Sequence, residues 1–141
     1  ADTFEGRAQM VALHAALVIR RINAVGGTES AKLAAALNER VLDGFDAAYR
    51  EQGVGDSSIA RKMRKLAEAH YGLGKAISTA LDEADRESAV IDVLERNGVT
   101  QKGKAPGLAT YLMSLADRLK LQPDSEIMAG NPAWQDLSKT P

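Results

Sequence analysis

Cysteine is absent from the 141-residue chain, which excludes a disulfide framework, a thiolate metal site and a cysteine nucleophile. Aromatic residues are nearly as scarce. Phe4, Phe45, Tyr49, Tyr71, Tyr111 and Trp134 are the full set, too few for a surface that stacks nucleic-acid bases. An excess of positive charge is missing as well. The 18 basic side chains face 19 acidic ones, a net charge of -1, which argues against a protein whose main work is to grip DNA. No apolar run is long enough to cross a membrane: the stretch Met10–Ile19 is interrupted by His14, and a spanning helix needs roughly 20 residues.

What remains is a globular composition. Hydrophobic residues make up 45% and charged residues 26%, the balance of a single domain with its own core. Alanine is frequent, β-branched residues are scattered, and no apolar/polar alternation persists, so no strand is predicted. The spacing instead predicts an all-α bundle of five to seven helices with short connections. A first helix starts at Thr3 as N-cap, carries Met10, Leu13, Leu17 and Ile22 on one face, and stops at Gly26-Gly27. A second, capped by Thr28 or Ser30, carries Leu33, Leu37, Val41, Phe45 and Ala48 and ends by Gly53. Asp56 is the expected cap of a third, with Ile59, Met63, Leu66, Ala67 and His70 inward, and Gly72 and Gly74 are expected to bend or break it. A fourth runs from about Asp85 to Arg96, terminated by Asn97-Gly98. A fifth begins near Pro106 with Leu108, Tyr111, Leu112, Leu115 and Leu119. Residues 1–122 are thus read as one helical domain and 123–141 as a loosely packed tail, pinned by Trp134.

Charge is unevenly distributed within the neutral total. Between Ser57 and Lys75 the bases Arg61, Lys62, Arg64, Lys65 and Lys75 face one acid, Glu68. Between Leu81 and Asn97 the sign reverses, with six acids against Arg86 and Arg96. Helices of opposite sign either pack together or present two different faces.

Signals for chemistry are weak. Gly72-Leu73-Gly74-Lys75 has the end of a phosphate-binding loop, but Ala76 stands where Ser or Thr is needed and no strand precedes it. Gly53-Val54-Gly55-Asp56 reads as a helix-to-helix turn, since Asp56 repels an anion there. His14 and His70 are the only imidazoles. Together with Tyr71 they offer an alternative reading, a haem- or small-ligand-binding helical domain. The acids Asp82, Glu83, Asp85 and Glu87 include no Glu-x-x-His pair of the di-iron kind, and no nucleophile elbow is present. No catalytic, cofactor-binding or metal-ligating set is expected, and the chain is not read as an enzyme.

The order of motifs says more than any one of them. The stretch Gly53–Gly72 (GVGDSSIARKMRKLAEAHYG) resembles the signature of the ubiquinol–cytochrome c chaperone family, a Gly-Val-Gly-Asp turn followed by a basic helix and a closing Tyr-Gly. Asp2–Ile22 (DTFEGRAQMVALHAALVIRRI) is similar to the family's first helix. Ala89–Asn97 (AVIDVLERN) and Leu108–Leu119 (LATYLMSLADRL) sit where its members have comparable helices. The sequence departs from the usual pattern at Ala8, His70 and Leu73.

The resemblance implies an assembly factor for ubiquinol–cytochrome c reductase, respiratory complex III, that binds newly made cytochrome b. Its implied partners are unassembled cytochrome b, the ribosome near its tunnel exit and the inner-membrane surface. It implies a further N-terminal segment in front of this domain, and a place in the cytoplasm at the inner membrane of a bacterium, or on the matrix side in a mitochondrion. From the residues, the third helix is the expected client wall: Ile59, Met63, Leu66 and Tyr71 as apolar contacts, and Arg61, Lys62, Arg64 and Lys65 attracting acidic loops, ribosomal RNA or anionic lipid. A peripheral membrane adaptor using that basic helix is the remaining alternative.

Overall fold

In the computed structural model, which describes residues 2–134, the chain forms six helices and, among the described residues, no strand. They are α1 (Phe4–Val25), α2 (Thr28–Glu51), α3 (Asp56–Leu81), α4 (Arg86–Arg96), α5 (Ala105–Leu121) and α6 (Asp124–Met128). The all-α bundle read from the periodicity is the observed architecture.

Helix α1 lies at the centre, packed on α2, α3, α5 and α6. Its buried positions include Ala8, Ala12, Ala15 and Ala16 beside Leu13, Leu17, Val18 and Ile22, and the short alanine side chains let neighbouring helices come close. Helix α5 faces it with Ala105, Ala109, Leu112, Leu115 and Leu119, all at most 1% exposed. Their three- and four-residue spacing is that of one helical face. Ile77 from α3 and Val90 and Leu94 from α4 complete the layer and are also inaccessible to solvent.

The helix boundaries follow local chemistry. Thr3 Oγ1 accepts a hydrogen bond from Gly6 N at 3.0 Å, and Asp85 Oδ1 accepts one from Ser88 N at 3.2 Å. Both are side-chain N-caps. The turn into α2 is made by Gly26 and Gly27 at φ +80° and +88°, a conformation that side chains with a Cβ rarely adopt. Gly27, rather than Thr28 or Ser30, is therefore the N-cap of α2, and Ser30 is buried with its hydroxyl donating to Gly27 O at 2.9 Å. Gly55 caps α3, leaving Asp56 in the first turn, where the Arg50 guanidinium holds its carboxylate at 2.7 Å.

Gly72 and Gly74 do not break α3, which continues to Leu81. At Gly74 an added Cβ would sit 3.5 Å from Ala16 Cβ, and at Gly72 it would meet nothing within 4 Å. These residues lie where α3 passes over α1, and packing carries the helix through them. The C-terminal region also differs from the loose tail expected of it. Asp124–Met128 is helical and buries Ile127 to 3% exposure within the main core. The Gln122 side chain accepts a hydrogen bond from Ala133 N at 2.9 Å. Residues 135–141 lie outside the described residues.

Arg21 closes the bundle. Its guanidinium donates to Leu119 O at 2.9 Å and Gln122 O at 2.8 Å, and pairs with Asp124 at 2.6 Å. A cation of α1 thus satisfies the bare carbonyls at the C-terminal end of α5. Its side chain is only 12% exposed. Replacing Arg21 with Met should destabilise the fold by about 2 kcal/mol, because two carbonyls and a carboxylate lose their donor; a urea titration with hydrogen exchange in α6 reads both the loss and its location. Gly72→Ala should instead stabilise by about 0.5–1 kcal/mol, the helix-interior penalty of glycine. An unchanged or lower urea midpoint would contradict the continuous helix.

Candidate functional site

The apolar arc of α1 is wider than the core requires. Leu13 and Leu17 point into the bundle, while Met10, Val11, His14, Ala15 and Val18 form a second face that α2 covers only in part. Leu33 and Leu37 of α2 bound this face on one side. Ile127, Pro132 and Trp134 bound it on the other, giving an open groove of about 570 Å³. Val11 and Trp134 stay 45% and 49% exposed. At 1.5 Å per residue, the α1 wall from Met10 to Ile22 runs for roughly 18 Å, the length of about three helical turns.

His14 is the one titratable side chain in this lining, and its polar atoms are already engaged. Nδ1 lies 2.7 Å from the Met10 carbonyl, and Nε2 lies 2.8 Å from the Tyr111 hydroxyl. A carbonyl only accepts, so Nδ1 carries the proton and Nε2 accepts from Tyr111. The imidazole therefore offers the groove its ring rather than a free donor or acceptor, and Trp134 lies tilted against it with ring centroids 5.7 Å apart. An extended apolar surface with little polar demand suits an apolar helical segment laid into it. It was not legible as a site. Leu33 and Leu37 read as ordinary core, and the available signal was the breadth of the α1 arc, with Val11 and Val18 outside the stripe.

Helix α3 separates the residues grouped as a client wall. At 100° per residue Ile59, Met63, Leu66 and His70 share one face, and Arg61 and Lys65 occupy the opposite one. Ile59 is buried at 6% exposure and Met63 and Leu66 are half-buried, so this face holds α3 against its neighbours. Arg61, Lys62, Arg64 and Lys65 are exposed, and Tyr71 is 52% exposed on the flank. Among the described residues none of the four bases has an ion-pair partner. Six other arginines do: Arg7, Arg20, Arg21, Arg50, Arg86 and Arg96. Lys62 does sit 5.8 Å over the Tyr49 ring.

The sequence profile described as ubiquinol-cytochrome C chaperone matches residues 1–134. This chain belongs to the ubiquinol–cytochrome c chaperone family. A crystal structure of the Cbp3 homolog from Brucella abortus is similar throughout. It is 28% identical, covers 100% of this chain and 78% of its own, and superposes with a TM-score of 0.83. Comparison with curated proteins gives no match. Membership supports the role of an assembly chaperone for respiratory complex III, and no described helix is long and apolar enough to cross a membrane.

In this chaperone the two imidazoles are not brought together. His14 lines the apolar groove, whereas His70 is 95% buried, lining the crevices beside α3. Its Nε2 donates to Asn38 Oδ1 at 2.9 Å, tying α3 to α2, while Nδ1 has no partner among the described residues. The pair therefore does not form the two-sided haem ligation that the alternative reading needs. No group of three His, Asp or Glu side chains placed to hold a metal occurs among the described residues.

Burial pushes the His70 imidazole below its ordinary pKa, because the charged form is the one penalised. The unfolded chain therefore takes up this proton first as pH falls. The stability from neutral His70 is complete above the unfolded value near 6.5 and declines as pH drops toward the folded one. Urea unfolding between about pH 7.5 and pH 5 should show that loss, and His70→Gln should flatten it; equal slopes in the two proteins would remove His70 as the cause.

Proposed function

We propose that this chain is a holding chaperone for newly synthesised cytochrome b, keeping its apolar segments from water until they enter ubiquinol–cytochrome c reductase. The observation that carries this reading is the open apolar groove between α1, α2 and the segment after α6, in a chain whose family is one of chaperones. An unassembled membrane helix exposes apolar surface to water, and a groove about three turns long shields part of one such helix without enclosing it. Met10 at one end adds an adaptable side chain that accepts different apolar shapes.

The basic face of α3 plays a second part in this reading. Arg61, Lys62, Arg64 and Lys65, flanked by Tyr71, steer the chaperone toward acidic surfaces, at the ribosomal tunnel exit or on the client's loops, while Met63 and Leu66 keep α3 seated. Exposed cations act mainly on encounter and salt dependence rather than on hold.

Photo-crosslinking in cells tests this assignment, with a crosslinkable residue at Val11 or Leu37 in the groove, at Arg61 or Lys65 on the basic face, and at Glu87 as control. Cytochrome b adducts are expected from Val11 and Leu37 and not from Glu87. Val11→Glu should abolish them at a stability cost of no more than about 0.5 kcal/mol, since the site is already exposed. Adducts to cytochrome b from Arg61 and Lys65 alone would move the client to the basic face, and no cytochrome b adduct from any position would overturn the proposal.

A further inference from the structure

A second concavity, unlike the apolar groove, lies where α1 and α3 cross beside α2. On α1 it is lined by Ala12, Ala16, Arg20 and Asn23, which at 100° per residue point away from the groove-lining Met10, His14 and Val18. Its volume is about 320 Å³, at the small end for small-ligand sites. Ala12, Ala16 and Gly74 form a floor of minimal side chains, and polar groups from three helices surround it: Arg20 and Asn23 from α1, Asn38 from α2, and Lys75, Ser78 and Thr79 from α3.

The chemistry of this wall is one-sided. It holds two cationic side chains, two amides, the hydroxyls of Tyr71, Ser78 and Thr79 and the His70 ring, and no carboxylate lines it. Asp82 engages a single nitrogen of the Arg20 guanidinium from outside the lining, which leaves other N–H groups of that fork unspent. Lys75 has no ion-pair partner among the described residues. The Asn38 oxygen is occupied by His70, so the amide offers the crevice its NH2 end. Donors converging from several directions match a tetrahedral anion better than a planar carboxylate, which presents two acceptors in one plane.

The surroundings are mostly of the same sign, with Glu68 the one acid on this face of α3. Arg61, Arg64 and Lys65 continue from Lys75 along the solvent face of α3, over about 21 Å at the helical rise. Such a row raises the local concentration of anions along its length. Its acidic counterpart, from Asp82 to Glu95, lies beyond the end of α3 and on α4.

We propose that this crevice binds a phosphoryl group, either of a soluble phosphate ester or of an anionic phospholipid headgroup, with Lys75 and Arg20 supplying charge and Asn38, Asn23 and Ser78 supplying directed donors. It is not a phosphate loop: the Gly72–Lys75 segment is helical, and the donors are side chains. The site is separate from the apolar groove and shares no lining residue with it.

The test is a titration of the 15N-labelled chain with glycerol 3-phosphate, and separately a flotation assay on phosphatidylcholine vesicles with and without phosphatidylglycerol. The ester is expected to shift the amides of Asn38, Lys75, Ser78 and Thr79 in the mM range, and Lys75→Gln should weaken that binding about tenfold, as for a lost charge-assisted hydrogen bond. If the source is the lipid, flotation should require phosphatidylglycerol, fall with salt and fall again in Lys75→Gln. An Arg61→Gln/Lys65→Gln double variant should weaken flotation but leave the ester titration unchanged. Shifts with the ester and no flotation would assign the site to a soluble ligand. No shift up to about 10 mM, a free energy of binding below about 3 kcal/mol, together with flotation indifferent to Lys75→Gln, would overturn the proposal.

Discussion

Everything in this molecule leans on α1 being a helix that can be approached from several sides. Its four buried alanines and four buried larger apolar residues are distributed around the cylinder instead of along one stripe. An ordinary amphipathic helix has one face to bury, and its partners are stacked on that side. Here α2, α3, α5 and α6 all use α1, and the alanines set how near they come. Two different concavities result. One is apolar, because α2 leaves part of the α1 arc uncovered; the other is polar, because the opposite flank carries Arg20 and Asn23 past a floor of Ala12, Ala16 and Gly74.

The charges obey a similar division. Six guanidinium groups are tied to carboxylates, and some of these pairs bridge elements. Arg86 grips Asp117 with two bonds of 2.7 Å between α4 and α5, holding that carboxyl below its usual pKa range. The first half of α3 is where unpaired bases cluster, with four exposed side chains and, among the described residues, no carboxylate paired to any of them. Exposed pairs contribute little to stability, so leaving these four unpaired costs the fold little and keeps their field available for encounter.

The fold was readable to the extent that it depends on periodicity. The three- and four-residue spacing of Leu108, Leu112, Leu115 and Leu119 specifies a helical face wherever it occurs, and Thr3 and Asp85 cap helices for reasons contained in a few neighbouring residues. Errors arose where tertiary packing overrode a local signal. Gly72 and Gly74 weaken a helix in isolation, but α3 lies across α1 at this point and continues. Asp124–Met128 is too short to announce itself, and it becomes a helix because Ile127 has a core to enter. The sites were less legible than the fold. Spacing alone puts Met63 and Leu66 on the face opposite Arg61 and Lys65, although proximity in sequence places all four together. The groove depends on how much of α1 is left uncovered, which no local pattern encodes.

The Arg21 clasp has a consequence for the order in which the chain becomes itself. Its three acceptors lie 98, 101 and 103 residues downstream, and Ile127, the last buried side chain among the described residues, lies further still. A chain emerging from synthesis leaves the flanks of α1 that meet α5 and α6 uncovered until those helices exist, and closing so long a loop carries an entropic cost that only the finished contacts offset. The polypeptide that shelters another's unassembled helices thus passes through the same predicament. Its own central helix stays partly wet until α5 and α6 arrive.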